Sequence, residues 1–132
     1  MIEVYTDGAS NSNLGISGAG IFIKAAGKNY EYTFPLDVIS NHEAEFHAVI
    51  KALEICKETF PNEIVSLRSD SQVVVDVVEK DFTKNKTFLP LLEKIREETQ
   101  YFPYFFIKWI PESQNKNADL LARKALQMQR PK

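Results

Sequence analysis

The chain has 132 residues and a net charge of −2, with 44% hydrophobic and 26% charged residues, which fits one globular domain (1–132). The charge excludes a basic surface covering the whole protein, and the single cysteine, Cys56, excludes an internal disulfide and a multi-cysteine zinc site. No apolar run reaches membrane-spanning length and no signal-like stretch opens the chain, so we expect a cytoplasmic protein without a membrane partner.

The first third of the chain predicts strands. Apolar and polar residues alternate from Ile2 to Thr6, as in a strand, and the following Asp7-Gly8 pair favours a turn. Two more strand-like runs are separated by a turn signal at 27–29, so an antiparallel meander is expected. The predicted strands here are residues 2–6, 18–26 and 30–36, with a loop at 11–18.

A helix is predicted next, at residues 43–59. Its apolar face contains Val49, Leu53 and Cys56, and Glu45 falls in the middle of that face. A carboxylate there is costly unless it is paired or binds a cation, although a glutamate near a helix start can also stay hydrated and favour the helix dipole. Glu45 therefore has both a structural and a functional explanation.

The rest of the chain alternates strands and helices. The valine-rich run after Asp70 suits either a strand or a helix, and we predict a helix that Ser69, Asp70 or Ser71 would cap. The continuous apolar run at 104–110 predicts a strand buried on both faces. The remaining predictions are a strand at 64–69, a lysine-bearing linker at 79–87, a helix from Phe88, a loop at 112–117 and a helix from Ala118.

The element order βββαβααβα implies an α/β fold with one mixed sheet and helices on its faces. Four carboxylates (Asp7, Glu45, Asp70 and Asp119) sit at strand ends or in first helical turns, where such sheets usually place their sites. Each has an ordinary structural explanation, such as a turn, a helix cap or, for Asp119, pairing with Arg123. If they converge, they cannot all be ionised without a cation, and oxygen ligands suit two Mg²⁺ or Mn²⁺ ions.

The sequence resembles the type 1 ribonucleases H in five groups of residues that occur in the family's order. The resemblance implies the ribonuclease H fold, a five-stranded mixed sheet with helices on both faces. It also implies hydrolysis of the RNA strand of RNA–DNA hybrids, leaving a 3′-hydroxyl and a 5′-phosphate. The family's metal-binding set falls on Asp7, Glu45, Asp70 and Asp119. The matching segments are 5–10, 18–20, 41–48, 69–74 and 109–111 with 117–123.

The resemblance also implies substrate contacts. Backbone groups after the first aspartate would lie near the RNA strand, and Asn41 would read the minor groove of the hybrid. His42 stands where the family often has asparagine. Contacts to 2′-hydroxyls select RNA, and phosphate contacts fix the register. The substrate-binding residues expected on this basis are Gly8, Ala9, Ser10, Asn41, His42, Ser71 and Gln72.

Two departures from the family pattern leave alternatives open. Many members carry a histidine in the loop before the last aspartate, whereas residues 112–117 contain none and offer Glu112 as a possible acid. The linker supplies only Lys80, Lys84 and Lys86 in place of a basic substrate handle. The leading hypothesis is a monomeric endoribonuclease acting on hybrids. The alternatives are a catalytically weak ribonuclease H-like module that binds nucleic acid or protein partners, and a nuclease of the same fold that cuts another nucleic acid.

Overall fold

The computed structural model describes residues 1–37 and 40–129, which form one five-stranded sheet with helices on both faces. The strand order is β3-β2-β1-β4-β5; the first three strands pair antiparallel, and β4 and β5 run parallel to β1. This confirms the predicted mixed sheet. The elements are β1 (Ile2–Asn11), β2 (Ile16–Ala25), β3 (Lys28–Leu36), α1 (Asn41–Thr59), β4 (Val65–Ser69), α2 (Gln72–Lys80), α3 (Leu89–Thr99), β5 (Phe105–Trp109), a 3₁₀ turn (Glu112–Gln114) and α4 (Lys116–Gln129).

The main core lies between α1 and one face of the sheet. Phe46, Val49 and Leu53 of α1 pack with Val4 of β1 and Ile21 of β2, all of them fully buried. Helices α2 and α3 contact α1 on this side, and α4 packs against β1, β2 and β3 on the other side. The amphipathic face predicted for α1 is therefore its buried face. Among the described residues, none of the helices combines the length and the apolar character that crossing a membrane requires.

The prediction that Asp7 and Gly8 form a turn was wrong. Strand β1 continues through both residues to Asn11, and Asp7 pairs with Gly20 of β2. The loop expected at 11–18 is correspondingly shorter, because β2 starts at Ile16. An Asp-Gly pair favours a turn only when the neighbouring strands leave its backbone unpaired, and here the sheet pairing prevails.

The prediction that the last strand is buried on both faces was also wrong. Strand β5 is at the edge of the sheet, and Phe106 and Trp109 are 50% and 46% exposed. Phe105 and Ile107 are partly buried and pack against the core, whereas Phe106 points to the opposite face. An apolar run alone does not distinguish a covered central strand from an edge strand, because strand order depends on the whole chain.

Candidate active site

Asp7 provides the centre of the site from the middle of the sheet. Its strand lies between β2 and β4, and its carboxylate accepts a hydrogen bond from the N–H of Gly8 at 3.0 Å. The alternation of β1 buries Thr6 and Gly8 on the α1 side, so Asp7 projects to the opposite face. It is held by a central strand and not by a loop.

Gly8 brings Glu45 to Asp7. A Cβ built on Gly8 would lie 2.3 Å from the backbone carbon of Ala44 and 2.4 Å from the backbone nitrogen of Glu45. The absence of a side chain thus lets the start of α1 touch β1 directly. Ser40 caps this helix by accepting a hydrogen bond from the N–H of Glu43. The close approach places the Glu45 side chain at the edge of the sheet.

The parallel register of β1 and β4 brings Asp70 to the same edge. Thr6 pairs with Ser69, so the residues that follow them, Asp7 and Asp70, are neighbours. Asp70 is not the cap of α2. That role belongs to Ser71, whose Oγ accepts a hydrogen bond from the N–H of Val74 at 3.3 Å. The structural explanation of Asp70 as a helix cap is therefore excluded.

Asp119 reaches the cluster from the first turn of α4. The buried Asn115, just before this helix, donates a hydrogen bond to the backbone oxygen of Thr6 at 2.9 Å and ties α4 to β1. Asp119 also forms the predicted ion pair with Arg123, at 3.2 Å. Sequence reasoning missed Asn115, since a polar residue before a helix indicates a helix start and nothing about a strand far away along the chain.

The carboxylates converge as the sequence predicts. One oxygen from each of Asp7, Glu45 and Asp70 lies within 4.8 Å of the other two. Asp119 joins them in the wall of a cavity of about 370 Å³. The rest of the described wall is formed by Gly8, Ala9, Ser10, Asn41, Glu112, Arg123 and Leu126.

Burial, followed by the crowding of negative charge, raises the pKa values of three carboxyl groups in the site. Burial, followed by the charges of Asp70 and Asp119, raises the pKa of Asp7 to about 8. Burial also raises the pKa values of Glu45 and Asp70, against the lowering effects of His42 on Glu45 and Asn115 on Asp70. Without a cation, Asp7 is therefore mostly protonated at neutral pH. A bound cation would offset the repulsion among the ionised carboxylates, and a cluster of oxygen ligands fits hard divalent cations such as Mg²⁺ or Mn²⁺.

The expected substrate residues divide into two groups. Gly8, Ala9, Ser10 and Asn41 line the cavity beside the carboxylates. The other three make contacts within the protein and are absent from the cavity wall. His42 Nδ1 lies 3.0 Å from Glu45, Ser71 caps α2, and the Gln72 amide donates to Asp76 at 3.1 Å. The substrate roles of all seven stay predictions.

Comparisons with known proteins agree with this geometry. A family model described as "Reverse transcriptase-like" matches residues 5–125, a span that includes all four carboxylates. The chain belongs to this ribonuclease H-like family.

Two relatives match different shares of the chain. The "Putative hydrolase EbsB" of Enterococcus faecalis is 43% identical over 131 residues, which cover 96% of this chain and 95% of that protein. The "Ribonuclease H" of Trichodesmium erythraeum is 39% identical over 83 residues, which cover 63% of this chain and 51% of that protein.

Solved structures of the family superpose over nearly the whole chain. RNase H1 from Halobacterium salinarum has a TM-score of 0.88 and 29% identity, covering 96% of this chain and 98% of that one. LC11-RNase H1, solved in complex with an RNA/DNA hybrid, has a TM-score of 0.88 and 27% identity, covering 97% of this chain and 98% of that one.

Proposed function

We propose that the chain is an endoribonuclease that hydrolyses the RNA strand of RNA–DNA hybrids with two divalent ions. The observation that carries the proposal is the group of three carboxylates (Asp7, Glu45 and Asp70) with oxygens within 4.8 Å, joined by Asp119 in the cavity wall. Family membership and the likeness to RNase H1 structures, one of them with a hybrid, support it.

In the proposed reaction, a water oxygen bonds to the phosphorus and the bond from phosphorus to the 3′-oxygen breaks, leaving a 3′-hydroxyl and a 5′-phosphate. The four carboxylates would hold Mg²⁺ or Mn²⁺. When bound, such ions activate a water and stabilise the leaving oxygen. The cavity wall at Gly8, Ala9 and Ser10 would place backbone groups against the RNA strand, and Asn41 would face the minor groove.

Glu112 is our proposal for the acid that replaces the loop histidine. It lines the cavity, and its charge contributes to the raised pKa of Asp70. A carboxyl group there can accept the proton of the water or return one to the product oxygen. Glu112→Gln should reduce the cleavage rate while leaving hybrid affinity near that of the parent. The exposed Glu79, in α2 and outside the cavity wall, offers a matched Glu→Gln control.

One cleavage assay tests the main proposal. A labelled RNA–DNA hybrid is compared with double-stranded RNA, double-stranded DNA and single strands, each with Mg²⁺, with Mn²⁺ or with EDTA. We expect metal-dependent cleavage of the hybrid alone, with 5′-phosphate ends. Hybrid binding without cleavage would favour the weak binding module, and cleavage of another duplex would favour a different nuclease of the same fold. A cytoplasmic monomer remains part of the proposal, to be checked by fractionation and sedimentation.

A further inference from the structure

The face of the sheet that carries Asp7 continues away from the active site as an open surface. On β1, Glu3 and Tyr5 share the face of Asp7, because alternate residues of a strand point the same way. The parallel register adds Arg68 of β4 beside Tyr5, and then Lys108 of β5 beside Arg68. This face therefore leads from the carboxylates to the edge strand.

Helix α4 covers only the other half of this face. Gly18 and Gly20 of β2 lie directly under it, where an added Cβ would meet Ala125 or the backbone of Ala118. In the described part of the chain, α4 packs chiefly on β1, β2 and β3, whereas β5 contacts α2, which lies on the opposite face of the sheet. Tyr104 and Phe106, beside β4, are 63% and 50% exposed.

The open half combines aromatic rings with positive charge. Tyr104 and Phe106 stack with ring centroids 5.6 Å apart and parallel planes. The charged residues of β4 and β5 on this face are Arg68 and Lys108. Arg68 forms an ion pair with Glu3, so Lys108 supplies the remaining positive charge of these two strands on this face. Among the described strand residues, the other carboxylate that the registers place on this face away from Asp7 and Asp70 is Glu31, on the far edge strand. We call Tyr104, Phe106 and Lys108 the aromatic platform.

We propose that the aromatic platform binds single-stranded nucleic acid, with bases stacked on Tyr104 and Phe106 and a phosphate beside Lys108. Stacking on exposed rings and pairing of phosphates with nearby cations is how proteins hold single strands without reading sequence. The choice of nucleic acid rests in part on the proposed function, because the platform shares a sheet face with Asp7. An acidic peptide would use the positive charge but would not need a stacked pair of rings.

The test measures binding of a labelled dT12 strand in EDTA by fluorescence anisotropy. The parent should bind, and Tyr104→Ala and Phe106→Ala should each weaken binding about tenfold, the usual loss of one stacking ring. Phe82→Ala is the matched control, since Phe82 is 59% exposed but lies outside the sheet. Lys108→Gln should reduce the slope of log affinity against log salt by about 0.7, whereas Lys80→Gln should leave the slope unchanged.

The assay is independent of hydrolysis, because dT12 is not a hybrid and EDTA removes metal. Asp70→Asn should bind dT12 like the parent even if no cleavage of any nucleic acid is found. Phe106→Leu, which keeps an apolar side chain, should lose affinity while melting like the parent. No binding of dT12 by the parent would overturn the proposal, as would equal binding by Phe106→Ala.

Two other occupants are also tested. An oligoglutamate of the same charge as dT12 should compete only weakly; equal competition would indicate an acidic protein partner and overturn the proposal. Sedimentation should show the same mass for the parent and Phe106→Ala. A parent dimer that Phe106→Ala dissociates would show that the platform pairs two copies of the chain, and would also overturn it.

Discussion

The variant Asp70→Asn tests whether Asp70 belongs to a catalytic cluster or has only a structural role. The substitution keeps the shape of the side chain and removes one charge from a group whose oxygens lie within 4.8 Å of one another. We expect it to abolish hybrid cleavage. In EDTA it should leave stability equal to or above that of the parent, because it relieves repulsion.

The expected gain in the unfolding free energy of Asp70→Asn can be worked out from Coulomb's law. Two unit charges 4.8 Å apart interact by roughly 3 kcal/mol at an effective dielectric constant of about 20. With a pKa of about 8, Asp7 is mostly protonated at pH 7, so most of this repulsion is absent there. We therefore expect a gain in unfolding free energy of about 1 kcal/mol at pH 7, which is a few degrees in melting temperature.

The gain should grow with pH. A carboxyl group whose pKa is higher in the folded than in the unfolded state stabilises the fold below its unfolded pKa. That stability is lost as pH rises through the folded pKa, which is about 8 for Asp7. The metal-free parent should thus lose stability from about pH 4 to pH 9, and Asp70→Asn should lose less. The difference approaches roughly 3 kcal/mol above pH 8.

Urea unfolding in EDTA from pH 6 to 9 measures this difference. Asp76→Asn is the matched control, since Asp76 lies in α2 and contacts Gln72 and not the cluster. Ser71→Ala should lose about 1 kcal/mol, because Ser71 is the cap of α2. A loss of stability in Asp70→Asn comparable to that of Ser71→Ala would refute the reasoning. A free energy of unfolding of the parent that does not change with pH would also refute it.

Two further predictions concern the approach of α1 and the grip on substrate. Gly8→Ala should lower the free energy of unfolding by about 1–3 kcal/mol and reduce cleavage per folded molecule, because its Cβ would lie 2.3 Å from the backbone of Ala44. Gly27→Ala is the control: Gly27 has a φ of +76° and no neighbour within 4 Å of an added Cβ, so this variant should lose stability but keep its activity. Activity of Gly8→Ala equal to that of the parent would contradict this account. For binding of a blunt hybrid to Asp70→Asn, the slope of log affinity against log salt concentration should be shallower than about −4, since Arg123 is the one cation in the described cavity wall. A slope of −6 or steeper would reveal a basic surface that the sequence does not show.

The sequence alone predicted the element order and the four carboxylates. Helix α1 follows from its periodicity, which depends on residues close in the chain, although it begins at Asn41 and not at the predicted residue 43. Glu45 could be singled out from the sequence because a carboxylate on an apolar helix face is costly unless it is paired or binds a cation. Its contact with His42, whose Nδ1 lies 3.0 Å from the Glu45 carboxylate, was not predicted.

Tertiary structure decided what depends on distant partners. Whether Asp7 lies in a turn or in a strand depends on β2 and β4, and whether the run at 104–110 is buried or exposed depends on the strand order. Asn115 and Thr6 meet although they are 109 residues apart in the chain. Local propensity and periodicity involve energies between residues a few positions apart. The position of a strand in the sheet and the meeting of four carboxylates are set by packing across the whole chain, which local patterns do not encode.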